Sequence, residues 1–150
     1  MSEIKFRAWS RNNRKMYYIP NDGPSVTIGT NWWTFHKNDP QSGEHLANEL
    51  TGVLMRFTGL KDKNGKEIYE GDIVETTLFV EMKLDKEPMR GVIKYADKWA
   101  TFYLVVGARK KGGPGVAMTS VHEWYYAEEG EIVATVVGNI YENPELAPEK

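Results

Sequence analysis

The stretch TGLKDKNGKEIYEGDIVE, Thr58–Glu75, carries eight charged side chains and three glycines in one short run. Asn64-Gly65 is the pair that a type I′ hairpin turn demands, because both of its central residues take positive φ. Ile68 and Tyr69 then resume a strand, and Gly71-Asp72 opens the next one at IVE. Lys61, Asp62, Lys63, Lys66 and Glu67 mix both signs around the first turn, which keeps it solvated and guards a strand edge. This is a folding pattern of successive hairpins rather than a catalytic loop.

Outward from it, short strands dominate. In IKFRAW, Ile4, Phe6 and Ala8 alternate with Lys5, Arg7 and Trp9, the period of a half-buried strand. That alternation puts Phe6 inside and Lys5 and Arg7 in solvent. Asn12-Asn13 marks a turn, and KMYYI returns as the second strand of a hairpin. SVTI and NWWTF read as short strands, and VLMRF (Val53–Phe57) as another. Leu46 and Leu50, spaced i, i+4, predict one or two helical turns over Glu44–Leu50. Farther on, IVETTLFVEMKL, GVIKY, WATFYLVV, MTSVHEWYYA and EIVATVVGNIY read as strands, with turns at Asp85–Pro88, Ala96–Lys98 and EEGE. This pattern predicts an all-β chain, an antiparallel barrel or sandwich with little helix.

Length and composition agree. At 150 residues the chain is most simply a single domain, 1–150. Within it stand an N-terminal hairpin subregion, 1–54, a barrel core, 55–146, and a polar tail, 147–150. The content is 41% hydrophobic and 27% charged, ordinary for a globular protein. A net charge of −2 argues against a generic polyanion binder. There is no cysteine, hence no disulfide framework and no thiol nucleophile. No apolar run approaches the roughly 18 residues of a membrane span. MSEIKFRAW lacks the apolar core of a signal peptide. The expected location is the cytoplasm, with no membrane partner.

Catalytic patterns are weak. The loop GARKKGGPG (Gly107–Gly115) lacks the Lys-Ser/Thr and following helix of a phosphate-binding loop. It reads as a hairpin connection, with Arg109, Lys110 and Lys111 as a weaker phosphate-contacting finger. His36, Asp39 and His45 share a loop region beside Glu44, but their spacing matches no zinc motif, and His122 stands apart. Ser120 and His122 would share a strand face without an orienting acid, so no triad forms. Glu70, Asp72 and Glu128-Glu129 sit in turns, where charge is solvated. The expectation is a non-enzymatic protein with no cofactor and no metal.

Binding is better supported. Lys5, Arg7, Arg11, Arg14 and Lys15 interleave with Phe6, Trp9, Tyr17 and Tyr18 in the N-terminal hairpin, and Trp32 and Trp33 add aromatic surface. Small barrels take single strands in this way, stacking bases on aromatics while cations hold phosphate. Against that, the same aromatics serve equally as core or as subunit-interface residues.

Three blocks carry a family resemblance: FRAW (Phe6–Trp9), RFTGLKDKNGKEIYEGDIVE (Arg56–Glu75) and VVGNIYENPEL (Val136–Leu146). Together, in this order, they resemble the signature of the YopX family, small proteins carried by temperate phages and prophages. The stretches 22–54 and 82–133 match less clearly. The resemblance implies an all-β fold, a small antiparallel barrel of complex topology that is YopX-like, with an SH3-like hairpin core. It brings no catalytic residue and no ligand, and it fits a homo-oligomer. The preferred reading is therefore a phage or prophage accessory protein in a bacterial host cell, acting by protein binding or self-assembly. The partner is a further copy or a host or phage protein. The alternative is a single-stranded nucleic-acid-binding barrel. The contact residues under these readings are Lys5, Arg7, Trp9, Arg11, Arg14, Lys15, Lys61, Lys63, Lys66, Tyr69, Arg109, Lys110 and Lys111.

Overall fold

The computed structural model describes residues 4–19, 24–37, 45–77, 87–106, 118–120 and 134–148. Their regular structure is almost entirely antiparallel strand. The helical elements among them are two three-residue 3-10 turns, Asp97–Trp99 and Pro144–Leu146. The chain divides into two compact units, Met1–Phe57 and Thr58–Lys150.

In the first unit, β1 (Phe6–Ser10) and β2 (Lys15–Ile19) form the expected hairpin, with Phe6 opposite Ile19 and Ser10 opposite Lys15. On its other side β1 pairs with the first half of β6 (Gly52–Lys61), Phe6 opposite Arg56 and Ser10 opposite Gly52. β3 (Pro24–Ile28), β4 (Trp33–Lys37) and β5 (His45–Asn48) make a three-stranded sheet in that order. Ala8, Phe35, Leu46 and Ala47 form the buried core, flanked by Tyr17, Ile19, Val26, Trp33 and Leu54.

Two sequence expectations fail here. His45–Asn48 is strand, not helix. Its pairing with β4 slips between Phe35 and His36, so that Ala47 faces Phe35 but His45, not Leu46, faces His36. This bulge lets consecutive Leu46 and Ala47 both turn inward, which erases the alternation that would have marked a strand. Leu50 is no helix partner of Leu46; it lies in a turn, 78% exposed. Arg7, expected in solvent, is only 2% exposed, while its neighbour Phe6 is half-buried. β1 is a central strand between β2 and β6, and such a strand is covered more fully than an edge.

In the second unit, the second half of β6 turns back into β7 (Glu67–Tyr69). Gly65 takes φ +82, but Asn64 is absent from the positive-φ residues, so this is not the type I′ turn expected. Asp62 replaces it as the organiser: its Oδ1 accepts from the amides of Asn64 and Lys66 at 2.8 and 2.9 Å. Gly71, at φ +83, makes the second turn as read, and its amide bonds Ile93 O. β8 (Asp72–Thr76), β9 (Met89–Ala96), β10 (Thr101–Val106), β11 (Met118–Ser120) and β12 (Ala134–Asn139) form a sheet ordered β11-β10-β9-β8-β12. Ile68, Val74, Ile93, Leu104, Val106, Ala134 and Val136 are the buried core of this unit.

Candidate functional site

Three turns of the first unit are tied together at one end by hydrogen bonds. The β1–β2 turn, Arg11–Arg14, meets the β5–β6 turn through two donors of one residue. Arg11 N bonds Thr51 O at 2.9 Å, and Arg11 Nη1 bonds Leu50 O at 3.1 Å. The β3–β4 turn joins them where Trp33 N donates to Glu49 Oε2 at 3.3 Å.

Each turn has its own local cause. Asn48 Oδ1 accepts from the amides of Leu50 and Thr51 and from the Thr51 hydroxyl, an Asx turn that reverses the chain. Ser10 Oγ anchors the first turn, donating to Leu46 O at 2.8 Å while accepting from Asn13 N. Gly29 N bonds Trp32 O to close the third. There the indole of Trp32 lies against Gly29: a Cβ on that glycine would fall 2.3 Å from the indole Nε1.

What these turns present is apolar and cationic. Ile28 is 53% exposed, Trp32 48% and Leu50 78%. Arg11, Arg14 and Lys15 are all exposed. Glu49 is the acid among them. Lys15 Nζ stands 5.2 Å from the Tyr17 ring centroid, a cation–π distance. Arg14 takes φ +48, the left-handed region a side chain rarely adopts.

The other expected contact residues are placed differently. Lys5 Nζ lies 5.6 Å over the Phe57 ring, and Trp9 is half-buried. Arg7 is buried, and so is Tyr69, whose hydroxyl donates to Glu67 Oε2 and whose amide donates to Asp72 Oδ2. Neither side chain offers a surface. Lys61, Lys63 and Lys66 are exposed on the β6–β7 hairpin of the second unit. Arg109, Lys110 and Lys111 lie outside the described residues, as do Asp39, Glu44 and His122. Sequence reasoning missed Ile28 and Leu50, and no local signal marked them; only strand pairing brings their turns beside Arg11. Among the described residues no group of three or more His, Cys, Asp or Glu side chains could hold a metal ion.

The family model for YopX protein matches residues 5–147. The chain belongs to the YopX family. Among solved structures, it resembles the YopX protein of Bacillus subtilis with a TM-score of 0.65 at 24% identity, over 97% of this chain and 98% of that one. A protein from Enterococcus faecalis aligns with a TM-score of 0.55 at 26% identity, over 97% and 99%. A comparison with curated proteins returned no match. The B. subtilis likeness carries the all-β YopX fold to this chain, and the three sequence blocks fall inside the matched span.

Proposed function

We propose that this YopX-family chain is a non-enzymatic accessory protein of a phage or prophage, working in the host cytoplasm. It acts by binding another protein, or a further copy of itself, through the joined turns of the first unit. The observation that carries the reading is the exposure of Trp32, Ile28, Leu50, Arg11 and Arg14 on or next to turns that hydrogen bonds join. Exposed apolar side chains gathered together mark interaction surfaces, and tryptophan and arginine dominate binding hot spots. Size-exclusion chromatography with light scattering, and affinity capture from induced cells, test it with wild type and Trp32→Ala. A defined oligomer or a partner lost in the variant supports the reading. A strict monomer that captures nothing, or capture indifferent to Trp32, overturns it.

A second reading rests on Arg11, Arg14 and Lys15 in the turns that also expose Trp32. Cations and an aromatic face together suit a single-stranded nucleic acid. It predicts salt-sensitive binding of a single-stranded oligonucleotide, lost on charge reversal at those three positions. No binding at low salt removes it.

A further inference from the structure

The β4–β5 bulge does more than bury Leu46. Directly paired residues on neighbouring strands share a face of the sheet, their Cβ atoms about 5 Å apart. The pairings Ser25–His36 and His36–His45 therefore set one row across β3, β4 and β5. Without the register slip, Leu46 would stand beside His36. With it, the two imidazoles lie edge to face, ring centroids 5.3 Å apart. Bulges are used in this way to re-aim a side chain next to functional sites.

The hydrogen bonds of this row are incomplete in an informative way. His36 Nε2 lies 3.0 Å from Thr34 Oγ1, two residues along the same strand and on the same face. The other ring nitrogen, Nδ1, is enclosed and has no partner, and so is Ser25 Oγ. A polar atom enclosed without a bond is costly, because the water it gave up is not replaced. If Nε2–H donates to Thr34, Nδ1 keeps its lone pair. This is the arrangement of metal-ligating histidines, which give their second ring N–H to a neighbouring acceptor and so fix tautomer and ring orientation.

We propose that His36 and His45 form a two-imidazole site for a divalent transition ion of the zinc class, with Thr34 as a positioning residue. Imidazole nitrogen is a preferred ligand for zinc and copper(II). His45 is exposed, and an exposed ring changes rotamer within nanoseconds, so it can swing to admit the ion. With two protein ligands, the ion keeps its other positions for water.

The test uses the full chain without an affinity tag, stripped with a chelator and titrated with zinc chloride by calorimetry. Histidine ring signals are followed in parallel by 15N-correlated NMR. The expected result is saturable binding of one ion per chain that shifts both rings. His36→Gln and His45→Gln should each weaken binding about tenfold or more, and Thr34→Val about tenfold, with a changed His36 tautomer. Far-UV circular dichroism shows that each variant is folded; His45→Gln alters an exposed position and keeps the test decisive. No saturable binding, or binding unchanged in the two histidine variants, overturns the proposal.

Discussion

Asp62 and Val136 are 74 residues apart in sequence and are joined by one buried hydrogen bond. The Val136 amide donates to Asp62 Oδ2 at 2.9 Å. The other carboxylate oxygen holds the amides of Asn64 and Lys66. A second bond runs alongside, from Lys63 N to Ala134 O. One carboxylate thus shapes the β6–β7 turn and fastens it to β12. The central and C-terminal family blocks, separate in sequence, meet at this residue.

Removing that carboxylate should be costly. In Asp62→Ala three amide donors lose their acceptor. The Val136 amide is the worst placed, because it is buried and water cannot replace the bond. A hydrogen bond to a charged group contributes about 1.5–3 kcal/mol, and the loss should fall near the upper end. Asp62→Asn keeps one acceptor oxygen and should lose less. Urea unfolding of both variants measures the difference, and a loss below that of an ordinary surface substitution would contradict the role.

The same residue should make stability pH-dependent. Burial, the largest single influence, pushes the Asp62 carboxyl up. The amides of Val136, Lys66 and Asn64, with the nearby Lys66 charge, together outweigh it and hold the group below its usual 3.8. Only the ionised form is favoured by folding. The contribution is therefore present above 3.8 and is lost as pH falls through the lower folded value. Wild type should lose stability relative to Asp62→Asn from about pH 4 downward, and the gap should be constant near neutrality. Unfolding curves taken across that range give the test.

Gly52 pairs with Ser10 at the start of β6, and the space beside it is taken. A Cβ there would lie 2.6 Å from Trp9 O and 2.8 Å from Ala47 Cβ. Neither neighbour is a flexible side-chain end, so the backbone must move. Gly52→Ala should destabilise the protein by about 1–3 kcal/mol, as overpacking does. The denaturation midpoint should fall with an unchanged m-value.

How much of this was readable in advance follows from what is local. The β1–β2 hairpin, β9, β10 and the Gly71 turn were legible because alternation and turn residues act within a few positions. β5 was not, because its bulge puts Leu46 and Ala47 on one side and breaks the period. Arg7 was misplaced because alternation distinguishes two faces but cannot say that both are covered. Asn64-Gly65 suggested one turn type, while Asp62 imposed another through its side chain. Ile28, Leu50 and Arg11 could not be grouped at all, since only β-pairing between distant segments brings their turns together.

That grouping also separates the two binding readings by charge and by area. If Arg11, Arg14 and Lys15 each neutralise a phosphate of a single strand, replacing all three by Ala should reduce the salt slope by about 2. Trp32→Ala should then weaken binding by about 1–3 kcal/mol through lost stacking, at every salt concentration. If the partner is a protein, the order reverses. Trp32→Ala and Leu50→Ala should cost more affinity than the charge changes, and salt should alter association more than dissociation. Arg14→Gly distinguishes shape from charge at the same turn. It relieves the φ +48 conformation, so the fold should be little affected. A stable Arg14→Gly variant that binds oligonucleotide as wild type does would remove Arg14 from the phosphate contacts. The measured slope would then have to come from Arg11 and Lys15 alone.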